Sequence, residues 1–157
     1  MEKLAVIDGV IAILEKEIEQ GRRASKEAFE AATDEDAYSD GKYDTRSLEA
    51  SYLAGGQAQI VKELGDALQG FKLLRAQHFM QPPLKQIGLG SLVEIESGGE
   101  SSWYIIGPGG GGLDVDIDKT KITVLTLHSP LGRKLASKIK GDKIELPNGA
   151  GTVKSVV

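Results

Sequence analysis

The sequence predicts an α+β fold: an N-terminal antiparallel two-helix coiled-coil hairpin over residues 1–80, with an acidic tip near 34–49, followed by a small α+β domain over residues 83–157. Three features predict it. The first half repeats apolar residues at coiled-coil spacing, Pro82-Pro83 interrupts that pattern, and the second half alternates short β-like runs with turn signals.

Leu4, Ile7, Ile11, Leu14 and Ile18 step by 3, 4, 3 and 4 residues, which keeps one stripe facing a partner helix. The same steps continue through Gly21, Ser25, Ala28 and Ala32, where small residues imply thinner or closer packing. A second seam runs through Leu53, Gln57, Ile60, Leu64, Ala67, Phe71, Leu74 and His78, again richest at the end away from the middle of the chain. The two rich ends belong together, giving an antiparallel hairpin with helices at about 3–33 and 45–78. Each arm reaches roughly 45–50 Å at about 1.5 Å per residue, so the hairpin is a lever or a probe. Between the seams, Asp34 to Asp44 holds five carboxylates and one Lys, net −4, with turn-forming residues that extend neither stripe. Two helices alone bury little, and the sparsely packed far end is expected to be more mobile than the base.

Pro82-Pro83 ends the second helix, because proline lacks the backbone donor and pushes its predecessor toward extended geometry. Beyond Ile87, β-like runs cover Ser91 to Glu96, Trp103 to Ile106, Lys121 to Leu127, Lys143 to Leu146 and Thr152 to Val157, and Leu113 to Asp118 alternates in the same way. Asn148-Gly149 is a hairpin dipeptide. Ser129-Pro130 is a cap followed by the favoured first helical residue, opening a short amphipathic helix to about Lys138.

Charge and composition narrow the function. The 19 Lys+Arg against 23 Asp+Glu leave a net charge of −4, which argues against gripping duplex DNA over a broad face. Its placement is uneven: residues 1–80 carry net −5, residues 81–157 net +1, and the turn alone −4. The absence of Cys excludes disulfides, thiol catalysis and cysteine-ligated metal sites, and fits a reducing compartment. No apolar run approaches the ~20 residues of a membrane span, and Glu2 and Asp8 break the pattern of a signal peptide, so a soluble cytoplasmic protein without a membrane partner is expected.

Gly107-Pro108-Gly109-Gly110-Gly111-Gly112 matches the letters of a phosphate-binding loop, but acidic strand-like residues follow where a helix N-terminus is required; a flexible loop between strands is expected instead. Counted from Asp34, the acidic stretch lacks the sixth-position Gly and twelfth-position Glu of a calcium loop. A solvated turn is the plainer account, although carboxylates at the end of a rod can serve a metal held by another molecule. His78 and His128 lack neighbours at ligand spacing, and Ser129 lacks triad partners. Arg22-Arg23 is a small basic spot along the rod and a candidate for RNA contact. Phe29, Phe71 and Phe79 are packing residues rather than base-stacking platforms.

The blocks Gly90-Ser91-Leu92-Val93-Glu94-Ile95, Tyr104-Ile105-Ile106-Gly107-Pro108, Ser129-Pro130-Leu131-Gly132-Arg133-Lys134-Leu135, Lys140-Gly141-Asp142 and Ile144-Glu145-Leu146-Pro147 resemble, in order and spacing, the FKBP-like domain of the Gre family of bacterial transcription elongation factors. With the long hairpin and acidic tip the resemblance spans nearly the whole chain, and Glu49-Ala50-Ser51-Tyr52 echoes the start of the family's second helix. The resemblance implies an accessory factor, not an enzyme, that binds RNA polymerase and meets DNA only through the polymerase complex. Its globular domain would dock at the rim of the secondary channel, with Ser129, Pro130, Leu131, Gly132 and Arg133 as contact residues, and its hairpin would enter the channel. It would bind no cofactor alone and no free small-molecule substrate. Tip acids of the family help hold Mg²⁺ in the polymerase active site, so that backtracked nascent RNA is cut.

The family's tip carries Asp and Glu three residues apart. Laid on this sequence without gaps, those positions are Thr45 and Leu48; one extra residue brings in Asp44 and Glu49, with Asp40 and Asp36 as substitutes. Asp44 and Glu49 are thus the candidate catalytic and metal-assisting pair, with Asp40 as a further candidate ligand. Asp44 and Glu49 could share a metal only if Asp44 precedes the helix, since on one helix they would diverge by about 140°. The alternative is a Gre-like paralogue that occupies the same channel without cutting and regulates by competition. A third possibility, prolyl isomerase activity, needs an aromatic pocket, whereas Trp103 and Tyr104 are the only aromatics after residue 82.

Overall fold

The computed structural model describes residues 1–33, 45–80, 82 and 84–157. Two helices, α1 (Lys3–Thr33) and α2 (Thr45–Gln77), precede β1 (Leu92–Ser97), β2 (Glu100–Ile106), β3 (Asp114–Ile117), β4 (Thr120–Leu125), α3 (Pro130–Leu135), β5 (Lys143–Leu146) and β6 (Gly149–Val156). The fold is therefore α+β, with both long helices on nearly the predicted spans.

The two arms run antiparallel. Asp8 pairs with Arg75 at 2.5 Å and Glu15 with Lys72 at 3.1 Å, while farther along Gly21 faces Val61. These ion pairs are largely exposed and fix register more than stability. Ile7, Leu14, Ile18 and Ala28 are buried along the predicted α1 seam. A Cβ at Gly21 would come 2.8 Å from Val61 Cγ2, so the small residues bring the helices closer together.

The predicted α2 seam holds near the base and departs from the structure farther out. Ala67 and Phe71 are buried, but Leu53 is 56% and Ile60 47% exposed. Val61 and Ala54, one residue later, are half-buried instead. Ala67 is covered by the globular domain's loop at Gly109, whereas that flank of α2 projects beyond the domain at Ile60 and Leu53. Val6 and Val10, outside the α1 seam, are fully buried for a related reason: α1 lies on β3, where a Cβ at Gly9 would meet Val115 Cγ2 at 2.6 Å.

The six strands form one sheet in the order β3-β4-β2-β1-β6-β5, antiparallel throughout except for the parallel pair β2 and β4. Period-two alternation sends Leu92, Ile105, Ile122 and Val124 to one face, where they join Leu14 and Phe71 in an apolar cluster shared with the hairpin base. Val93, Ile95, Ile106, Ile144 and Val153 face the other way and pack with Leu135 of α3. Strand ends depart from prediction where backbone partners change. β4 stops at Leu125 because the Thr126 carbonyl turns to accept the Ser129 N–H at 3.1 Å. α3 stops at Leu135, after which Ser137, at φ 63°, donates its N–H to the Ile87 carbonyl.

The glycine-rich segment from Gly107 to Gly112 is a packed clasp rather than a free loop, and it leads into β3 rather than a helix. A Cβ at Gly107 would lie 2.5 Å from Phe71 Cζ, and one at Gly109 2.9 Å from Ala67 Cβ. In return, Gly70 of α2 leaves room for the Pro108 ring. Glycine is required here by close approach, not by phosphate binding.

Candidate functional site

α1 ends at Thr33 and α2 begins at Thr45, so the net −4 stretch connects the hairpin ends farthest from the sheet. Asp36, Asp40 and Asp44 lie outside the described residues. Glu49 is described: it is the fifth residue of α2 and is exposed, one position after Leu48, which is 54% exposed. A carboxylate there is a hard oxygen donor of the kind Mg²⁺ prefers. Among the described residues no three His, Asp or Glu side chains gather as a metal site.

Arg22 and Arg23 lie on α1 between base and tip, and both are exposed. Arg23 Nε bonds Glu19 Oε1 at 3.0 Å on its own helix. Arg22, with Lys26, rims a shallow groove floored by Ala54, Ala58 and Val61. The two arginines thus stand on different surroundings: one is held by a helical neighbour, the other borders an apolar depression.

The Ser129 to Arg133 block forms the start of α3. Ser129 is the N-cap: its Oγ accepts the Gly132 N–H at 3.1 Å and donates to the Thr126 carbonyl at 2.7 Å. Pro130 occupies the first helical turn, where its missing N–H costs nothing. Leu131 packs against the α3-side core, and Gly132 is buried so closely on Thr126 that a Cβ would overlap the Thr126 carbonyl oxygen. Arg133 alone projects as an exposed charge. The block therefore builds the helix, and Pro130 and Arg133 are its exposed members.

The remaining candidates fall away from chemistry. Trp103 packs with the hairpin-side cluster and Tyr104 with the α3-side cluster, so the domain's two aromatics serve opposite faces of the sheet. His78 stacks edge-on against Phe79 at 5.0 Å, its Nδ1 buried without a hydrogen-bond partner among the described residues, beside a cavity of about 180 Å³ whose lining includes Lys3, Ile7 and Leu74. Burial there lowers the Lys3 pKa. On the outer edge, Lys121 and Thr123 hydrogen-bond Asp114 and hold its carboxyl below the usual range. No described helix is long and apolar enough to cross a membrane.

No family model and no curated protein matches the chain. Among solved structures it is similar to the GreA factor homolog 1 (Gfh1) of Thermus thermophilus, at 21% identity over 94% of both chains with a TM-score of 0.37. Gfh1 of Thermus aquaticus is 22% identical over 94% of this chain and 90% of that one, with a TM-score of 0.35. A further structure, of "the transcription factor Gfh1", is 21% identical over 94% of this chain and 93% of that one, with a TM-score of 0.37.

Proposed function

We propose that the chain is a Gre-like accessory factor that binds RNA polymerase through its globular domain and delivers the acidic end of its hairpin into the polymerase's secondary channel. The observation that carries this is the anchoring of both arms in the sheet's own core, which holds the ends flanking the net −4 stretch away from the sheet along arms of 31 and 33 residues. Such a rod can reach a buried centre that the globular domain cannot enter. The ordered blocks from Gly90 to Pro147 support the same assignment.

At the polymerase centre, Asp44 and Glu49 would add carboxylate oxygens, with Asp40 in reserve, to a Mg²⁺ that the polymerase already holds. That ion supplies polarisation of water and of the leaving oxygen. This chain's contribution is to place negative oxygen at the right depth and to orient it. Arg22 and Arg23 would face the RNA or the channel wall along the way.

The test is transcript cleavage in stalled elongation complexes at saturating protein. The proposed pair predicts cleavage above that of polymerase alone, lost on Asp44→Ala or Glu49→Ala. A specific observation favours the second reading, a channel-binding factor that does not cut: the ungapped tip positions are Thr45 and Leu48, neither of which carries a carboxylate. It predicts no added cleavage together with displacement of a cleavage-competent factor.

A further inference from the structure

The base of the hairpin meets the segment leading into β1 around the cavity of about 180 Å³. Ile7 and Leu74 line it from the two arms, and Leu84 and Leu89 from the segment, so its wall is mostly apolar and draws on both halves of the molecule. Two polar side chains share it: Lys3, at the start of α1, and His78, just past the end of α2. Lys3 is half-buried and, among the described residues, in no ion pair, Asp8 being committed to Arg75. Burial lowers its pKa, as expected of an ammonium with no anion beside it. His78 Nδ1 is buried without a hydrogen-bond partner among the described residues, while Phe79 meets the ring edge-on. Buried polar groups left unpaired cost free energy, and two of them on one cavity call for a third group.

We propose that this cavity binds a small free monocarboxylate with a short alkyl tail, its head held by Lys3 and His78 Nδ1 and its tail by the apolar wall. A carboxylate only accepts hydrogen bonds, the Lys3 ammonium only donates, and Nδ1 donates when it carries the ring proton. A water in that place would leave a hydrogen against the apolar wall, and inorganic phosphate would bring more oxygens than two donors can serve. The volume lies below the roughly 300–1,000 Å³ of a drug-sized site, which limits the tail to a few carbons. Because both arms and the segment before β1 line the cavity, an occupant becomes part of the joint between hairpin and sheet. This site stands apart from the polymerase assignment.

The full chain is titrated calorimetrically with sodium butyrate, sodium acetate, sodium phosphate and n-butanol at constant ionic strength. Butyrate is expected to saturate one site, with acetate roughly ten-fold weaker because it is two methylenes shorter. Lys3→Met and His78→Phe keep most of the bulk of each side chain and should each weaken butyrate roughly ten-fold, by removing a donor to a charged group. The chain's other histidine, His128, is an internal control in nuclear magnetic resonance spectra of the imidazole nitrogens: butyrate should move the His78 signals and leave those of His128 in place. Absence of saturable heat with butyrate, or an unmoved His78, would overturn the proposal. So would phosphate or butanol binding as tightly as butyrate, which would leave a bare anion hole or an apolar void. Butyrate affinity unchanged in both variants would place the ligand elsewhere and overturn it as well. RNA polymerase takes no part in these measurements, so failure here leaves the polymerase assignment untouched.

Discussion

Gly132 sits where only hydrogen fits. Its place against the Thr126 carbonyl explains why a glycine stands inside a six-residue helix, where its freedom would otherwise be a cost. Gly132→Ala is expected to destabilise the chain by about 2–3 kcal/mol in urea unfolding, as overpacking does. Arg133→Ala should leave stability within about 0.5 kcal/mol, as at an exposed site, and change only partner binding. The β3-β4 turn offers the opposite case. Asp118 and Lys119 both take positive φ, 50° and 64°, which Asp tolerates and Lys resists. Lys119→Gly restores the preferred Asp-Gly hairpin pair and should raise stability by roughly 0.5–1 kcal/mol. Nearby, Asp114 has its carboxyl pKa lowered in the folded state by the hydrogen bonds from Lys121 and Thr123. Its contribution is therefore present above the unfolded pKa of about 4 and is lost as pH falls through the lower folded value. Exposure keeps the effect small. Asp114→Asn should flatten the acid limb of a stability-versus-pH curve, and a superimposable limb would count against it.

At the scale of elements, both long helices were legible because their seams repeat over many turns and their ends coincide with turn residues. α3 was legible at its start, through Ser129-Pro130, but not at its end, which depends on the Ser137 N–H meeting Ile87 from a distant part of the chain. The outer half of the α2 seam was misplaced for the same kind of reason. Sequence spacing reports that Leu53, Ile60 and Ala67 share a flank, but not that the globular domain reaches only as far as Ala67. Val6 and Val10 carried a signal that the narrow seam passed over, since with Ile13 they form a second apolar stripe four and three residues apart. Their burial against the sheet is what that stripe anticipated. The corrected seam makes a clear prediction: Leu53→Lys and Ile60→Lys should each change stability by less than about 0.5 kcal/mol, as at exposed sites. Val61→Lys should destabilise, because it would crowd Gly21 and place a charge in the seam. Of the candidate site, residue types and order were legible, whereas the clasp between Gly107 and Phe71 was not, because glycine repeats look alike whether they bend freely or pack tightly.

For the whole molecule, hairpin and sheet are one cooperative object at the base. Phe71, fully buried, touches the core that contains Leu92, Ile105 and Val124, and Trp103 packs on the same cluster. Unfolding followed by Trp103 fluorescence and by helical circular dichroism should therefore share a main transition. Phe71→Ala should lower both together by about 3–5 kcal/mol, the usual cost of emptying a large core site. Two separate transitions, with the helical signal lost first and the fluorescence unmoved, would contradict a shared core.

The reciprocal fit of Gly70 around Pro108 and of Gly107 around Phe71 also fixes an angle. Over an arm of about 45 Å, a tilt of about 5° at the base becomes a displacement of about 4 Å at the other end, more than the length of a metal–oxygen bond. Under the proposed function, a single methyl group added at Gly107, where it would meet Phe71, would act as an aiming error.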